Sequence, residues 1–154
     1  MTNLERWSLH LAALLTGATG LLYGWLRYYG QRAGEFGLEA HPFQATMQHL
    51  HVLAAPLLVF TLGMLVRGHV LPMYRSGRIT GRATGLMLVM GLALMVLAGY
   101  GVQVVMHPEA RVVLAWLHGV SSVVFLSIYC VHMAMTWAAS QVPESLPDVF
   151  PGEP

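Results

Sequence analysis

Four stretches of this chain, roughly residues 8–28, 46–66, 83–105 and 112–138, stay apolar over the length of a bilayer crossing. A helix rising about 1.5 Å per residue needs about 20 residues to traverse the hydrocarbon core. Four such spans nearly exhaust a chain of 154 residues. The remaining composition agrees: 56% of residues are hydrophobic, 10% are charged, and lysine is absent, against about 25% charged residues in a soluble domain. The expected fold is all-α, a four-helix transmembrane bundle running up-down-up-down over residues 1–140. Residues 141–154, QVPESLPDVFPGEP, are rich in proline and acidic residues and are expected to form a flexible tail. No segment repeats.

The first span could be a secretory signal. Its start carries Glu5 beside Arg6, its apolar run exceeds a usual signal core, and Arg27, Tyr28 and Tyr29 follow Leu26 where a small-residue cleavage pattern would stand. It is therefore read as a membrane anchor. Arginine placement sets the orientation, because short cytoplasmic loops hold the excess of positive charge. Arg6, Arg67, Arg75, Arg78 and Arg82 share the side of the N-terminus, against Arg27, Arg32 and Arg111 opposite. Both termini are thus expected in the cytoplasm, with the loop YGQRAGEFGLEAHPFQATMQ and the turn MHPEAR facing outward.

Within the fourth span, LHGVSSVVFLSIYCVH has a histidine near either end of an apolar run. A buried imidazole needs a partner, since an unpaired polar group costs roughly 2–7 kcal/mol on leaving water. His118 and His132 stand 14 positions apart, about 40° short of four turns and about 21 Å along the axis, so they share one face at two depths. His10 lies near the cytoplasmic end of the first span and His51 near the outer end of the second. Two levels with two histidines each result. Haem iron suits this pattern: the porphyrin leaves two axial positions for opposed imidazoles, and its flat apolar body suits the middle of a bundle. The expected metal ligands pair His10 with His132 and His51 with His118. Zinc suits it less, because it takes three or four close protein ligands. His49 is two residues from His51, about 200° around the helix. Only one of the two can face the bundle; His51 lies deeper and is preferred, with His49 the alternative.

A macrocycle passing a helix that gives no ligand needs room, and glycine gives it. His10, Gly17 and Gly24 recur every seven residues, which puts Gly24 at the depth of the outer haem. Gly85 and Gly99 on the third span repeat the 14-residue interval. These four glycines are expected beside the cofactor, although glycine also serves helix packing in membranes generally. Phe125, midway between His118 and His132, would lie between the two levels.

WSLHLAALLTGATGLLYG, HLHVLAAPLLVFTLGMLVRGHV and LHGVSSVVFLSIYCVH together resemble the small four-helix di-haem membrane cytochromes b. That superfamily includes the b-type subunits of respiratory formate dehydrogenases and nickel-iron hydrogenases. The resemblance covers roughly residues 5–138, and its most specific part is the 14-residue histidine pair with one histidine in each of two earlier spans. It implies two haem b groups on His10, His51, His118 and His132, electron transfer across the membrane, and a quinone site beside one haem. It also implies a redox protein partner, whether a periplasmic or cytoplasmic oxidoreductase or a cytochrome c, and residence in the bacterial inner membrane. The chain lacks the long soluble extensions of some relatives, which leaves that partner unidentified.

Other features carry plainer readings. Cys130 reads as a small buried residue at a helix interface, and the ten methionines as core packing, because Met87, Met90, Met95, Met133 and Met135 make no ladder with the histidines of the kind a copper carrier needs. His41, His69 and His107 fall at membrane boundaries, and Pro56 should kink the second span. Tyr74, Arg75, Arg78 and Arg82 at one end, and Tyr100, Gln103 and His107 at the other, could line a quinone pocket or docking surface, or simply anchor the chain at the interface. The sequence holds no nucleotide loop, no nucleophile constellation and no paired carboxylates within the spans, and nothing in it points to nucleic acid. The expected function is electron transfer between a quinone pool and a protein partner, as a membrane subunit of a respiratory oxidoreductase. A stand-alone superoxide-to-quinone oxidoreductase, which small relatives of this type resemble, is the runner-up. A haem-free membrane anchor or a metal transporter is the alternative of another class.

Overall fold

The computed structural model describes residues 2–77 and 81–141. It is mostly helical, and four helices are long and apolar enough to span a membrane. The first, α1 (Asn3–Tyr28), starts at a capping box: the Thr2 hydroxyl accepts the Glu5 amide, and the Glu5 carboxylate accepts the Thr2 amide. This pairing satisfies two of the donors a helix start leaves free. After Tyr29 the chain makes a short antiparallel hairpin, β1 (Arg32–Gly34) against β2 (Gly37–Glu39), with Arg32 opposite Glu39. Gly37 closes its turn at φ 125°, an angle that side chains with a Cβ rarely adopt. Sequence reading took this segment for a plain loop. Strands of three residues carry too little alternation to be recognised.

The second span is longer than its apolar core. Helix α2 (Gln44–Leu65) passes without interruption into a π-helical turn, Val66–Val70, and then α3 (Leu71–Arg75). The helix continues through Pro56. An irregularity precedes Pro72. A proline clashes with the carbonyl four residues back, here that of Gly68, and that residue lies in the widened turn. The other two spans are α4 (Arg82–Val104), entered from Gly81 at φ 76°, and α5 (Pro108–Ser140), which opens with proline at its first position. Proline is suited there because its missing amide would have had no helical partner. The predicted spans at 8–28, 46–66, 83–105 and 112–138 lie within these helices apart from a residue at two ends; the predicted tail, from 142 onward, falls outside the described residues.

Packing divides the helices into pairs. α1 lies along α2, and α4 along α5. In both pairs the contacts run in reverse order: Gly20 meets His51 while Gly68 meets Glu5, and Gly101 meets Leu114 while Gly81 meets His132. The core cluster, Leu9, Ala12, Ala13, Leu58 and Leu65, belongs to the first pair. The second pair buries Met95, Ala98 and Phe125. The pairs meet more sparingly, through Tyr28 stacked on Trp116, Gly17 against Leu126, and His10 on Tyr129. Many large apolar side chains face outward, among them Leu53, Phe60, Leu97, Val113 and Trp137. Surfaces of this kind are suited to lipid, and the chain is a multi-pass membrane protein by that measure.

Candidate functional site

Two of the four predicted ligands come together. His51 on α2 and His118 on α5 face each other across the two helix pairs, with ring centres 6.0 Å apart and planes at 65°. Each ring is seated on the helix its own helix packs against. His51 Nδ1 donates to the Thr16 carbonyl of α1 at 3.0 Å, and His118 Nδ1 to the Met95 carbonyl of α4 at 2.9 Å. A carbonyl can only accept, so in both rings Nδ1 carries the proton and Nε2 keeps its lone pair.

The seats are built alike. A glycine stands four residues after each carbonyl: Gly20 after Thr16, and Gly99 after Met95. A Cβ on Gly20 would lie 2.7 Å from Cε1 of His51, and one on Gly99 would lie 2.9 Å from Cε1 of His118. Carbonyl and missing side chain together make a notch one helical turn deep, into which an imidazole fits. Gly99, expected beside the cofactor, has the His118 ring as its nearest neighbour. Gly20 went unnoticed because it lies off the seven-residue spacing that drew attention to Gly17 and Gly24. Of those two, Gly17 packs on Leu126, and Gly24 has nothing within 4 Å.

The other two histidines have different surroundings. His132 Nδ1 lies 2.8 Å from the Thr84 hydroxyl, which itself donates to the Gly81 carbonyl. Gly81 and Gly85 leave room for the ring, at 3.3 and 3.7 Å from a built Cβ to Cε1. His10 is hydrogen-bonded through Nδ1 to the hydroxyl of Tyr129, one turn before His132 on α5, and packs edge-on against Trp7. The closest contacts of His10 and His132 are therefore with Tyr129 and Thr84, and not with one another. An open groove of about 280 Å³ flanks His10, lined by Ala13, Leu14, Leu126, Tyr129 and Cys130.

Several other predicted residues take defined places. His51 is half-buried, whereas His49 is exposed. Phe125 is buried with its ring against Gly91 of α4. Cys130 is exposed rather than buried, at the edge of the open groove beside His10. Met95 is buried, but Met87 and Met90 are exposed along a groove between α4 and α5, so core packing does not describe them. The Arg82 guanidinium stacks over Tyr74 at 4.8 Å, Arg78 falls outside the described residues, and Tyr100, Gln103 and His107 are exposed. Thr16 is 7% exposed, and its hydroxyl has no hydrogen-bond partner among the described residues.

The donor set limits which group could be held. Among the described residues no three His, Cys, Asp or Glu side chains gather as a metal cluster would. Two imidazoles opposed across a gap suit a metal whose remaining positions are filled by something other than protein. A metal bonded to one nitrogen of each ring at about 2 Å would hold the ring centres roughly 6 Å apart. The spacing of His51 and His118 agrees, and the free Nε2 atoms are the nitrogens such a bond requires. Two such imidazoles are the kind of donor set that the axial positions of a haem would take. No protein-family model matches the chain, and no match was found among curated proteins or solved structures.

Proposed function

We propose that the chain is a di-haem b-type cytochrome of the membrane, resembling the four-helix cytochromes b. It would carry electrons between a quinone pool and a protein redox partner as the membrane subunit of a respiratory oxidoreductase. The observation that carries this reading is the opposed pair His51 and His118, 6.0 Å apart, each with Nδ1 committed to a backbone carbonyl. A hydrogen bond on the far nitrogen is the usual means of orienting a metal-bound imidazole and raising its basicity. His10 and His132 would hold the second haem from α1 and α5, with Tyr129 and Thr84 at their far nitrogens.

When bound, a haem with both axial positions filled by protein passes single electrons and leaves no open site for oxygen chemistry. The chain's own contribution is to fix the tautomer and angle of each ring and to keep apolar walls around it. The reverse-ordered contacts within each helix pair support an up-down-up-down bundle. The arginine bias supports cytoplasmic termini in a bacterial inner membrane.

A dithionite-reduced minus air-oxidised spectrum of the detergent-purified protein, with pyridine haemochrome quantification, tests the reading. Two haem b groups per chain are expected. A colourless protein obtained in normal yield would overturn it.

A further inference from the structure

Of the four histidines, His132 alone has its Nδ1 against a threonine hydroxyl, that of Thr84, which also reaches a helix carbonyl. The Thr84 hydroxyl donates to the Gly81 carbonyl at 3.1 Å and stands 2.8 Å from His132 Nδ1. A hydroxyl has one proton. When that proton goes to Gly81, the oxygen accepts from His132, so that Nδ1 carries the ring proton and Nε2 keeps the lone pair a metal needs. The local fold holds this relay in place. Gly81 enters α4 in the left-handed conformation at φ 76°, and the Thr84 side chain folds back onto it within the first turn. Gly81 and Gly85 flank the ring on either side of Thr84. His51 and His118 obtain the same tautomer from main-chain carbonyls, which no substitution removes.

We infer that Thr84 is a positioning residue for His132: it selects the tautomer that can bind a metal and strengthens the imidazole as a ligand through the Nδ1–H bond. The inference rests on the cytochrome reading. Loss of the acceptor would leave His132 free to carry its proton on either nitrogen and would make it a weaker donor to iron. A weaker donor stabilises the reduced metal relative to the oxidised one.

The test compares wild type, Thr84→Val, Thr84→Ser and His132→Ala as purified, haem-loaded proteins, by spectroelectrochemical titration and pyridine haemochrome. The haem signal lost in His132→Ala identifies the affected centre. Valine keeps the shape of threonine without the acceptor. In Thr84→Val that one centre should bind haem about 10–100-fold more weakly and show a raised midpoint potential, with the other centre unchanged, and Thr84→Ser should behave as wild type. Unchanged potentials and haem content in Thr84→Val, or equal shifts at both centres, would overturn the role of Thr84 while leaving the cytochrome reading intact. Serine failing as valine does would overturn it as well, since shape and not the hydroxyl would then be what matters. A wild type without haem would overturn the cytochrome reading and this inference with it.

Discussion

The two histidine levels of this bundle solve one problem with different materials. At the level of His51 and His118, the groups that orient the rings are helix carbonyls, those of Thr16 and Met95. At the other, the orienting groups are the hydroxyls of Tyr129 and Thr84. A carbonyl is present at every residue, so the first arrangement needs a chosen residue only where a side chain would obstruct the ring, and glycine stands there. A hydroxyl must be supplied by a particular side chain, so the second arrangement is exposed to mutation at the acceptor itself. The first level should therefore fail through added bulk, and the second through lost polarity.

The comparison can be broken most forcefully at the ligands. On the proposed di-haem reading, His118→Ala should abolish one haem and leave the other, read by haemochrome content. Next come the notches. Gly20→Ala and Gly99→Ala place a Cβ at 2.7 and 2.9 Å from ring carbons, closer than van der Waals contact allows, and overpacking of this kind costs about 1–3 kcal/mol. Weaker haem retention at the His51–His118 level is expected, whereas Gly63→Ala, with nothing within 4 Å, should leave haem content unchanged and raise helix propensity by up to about 1 kcal/mol. Equal behaviour of Gly20→Ala and Gly63→Ala would remove the notch from the account. Tyr129→Phe keeps the ring against His10 and removes only the hydroxyl; the expected result is a shift in one haem's potential with both haems retained. The smallest effect is expected from Thr16→Val. Its hydroxyl is buried without a partner, and its carbonyl, not its side chain, holds His51. Thermal unfolding should change by no more than about 1 kcal/mol, in the stabilising direction.

The helices were legible in the sequence because apolar length alone dictates them, and their ends moved where the helix outlasts the apolar run. The apolar run put the end of the second span near residue 66, just before Arg67 and His69, yet the backbone continues through a π-helical turn to Arg75. Depth matching by helix rise found His51 and His118, which meet. It could not find Gly20, because the notch is defined by two helices whose relative rotation no single-helix spacing encodes. Nor could it foresee Tyr129 at His10: an aromatic residue in an apolar span reads as packing until a partner is known. The Arg32–Glu39 hairpin stayed hidden for a simpler reason, its strands being only three residues long.

The central claim is that His51 and His118 are the two ligands of one metal. Haem content of His51→Ala, His118→Ala and the double variant, each normalised to protein, tests it most directly. The account predicts that all three lose the same single haem and retain the same other one, because either ligand alone leaves that centre incomplete. Two haems in either single variant, or a double variant that loses more than the singles do, would contradict it.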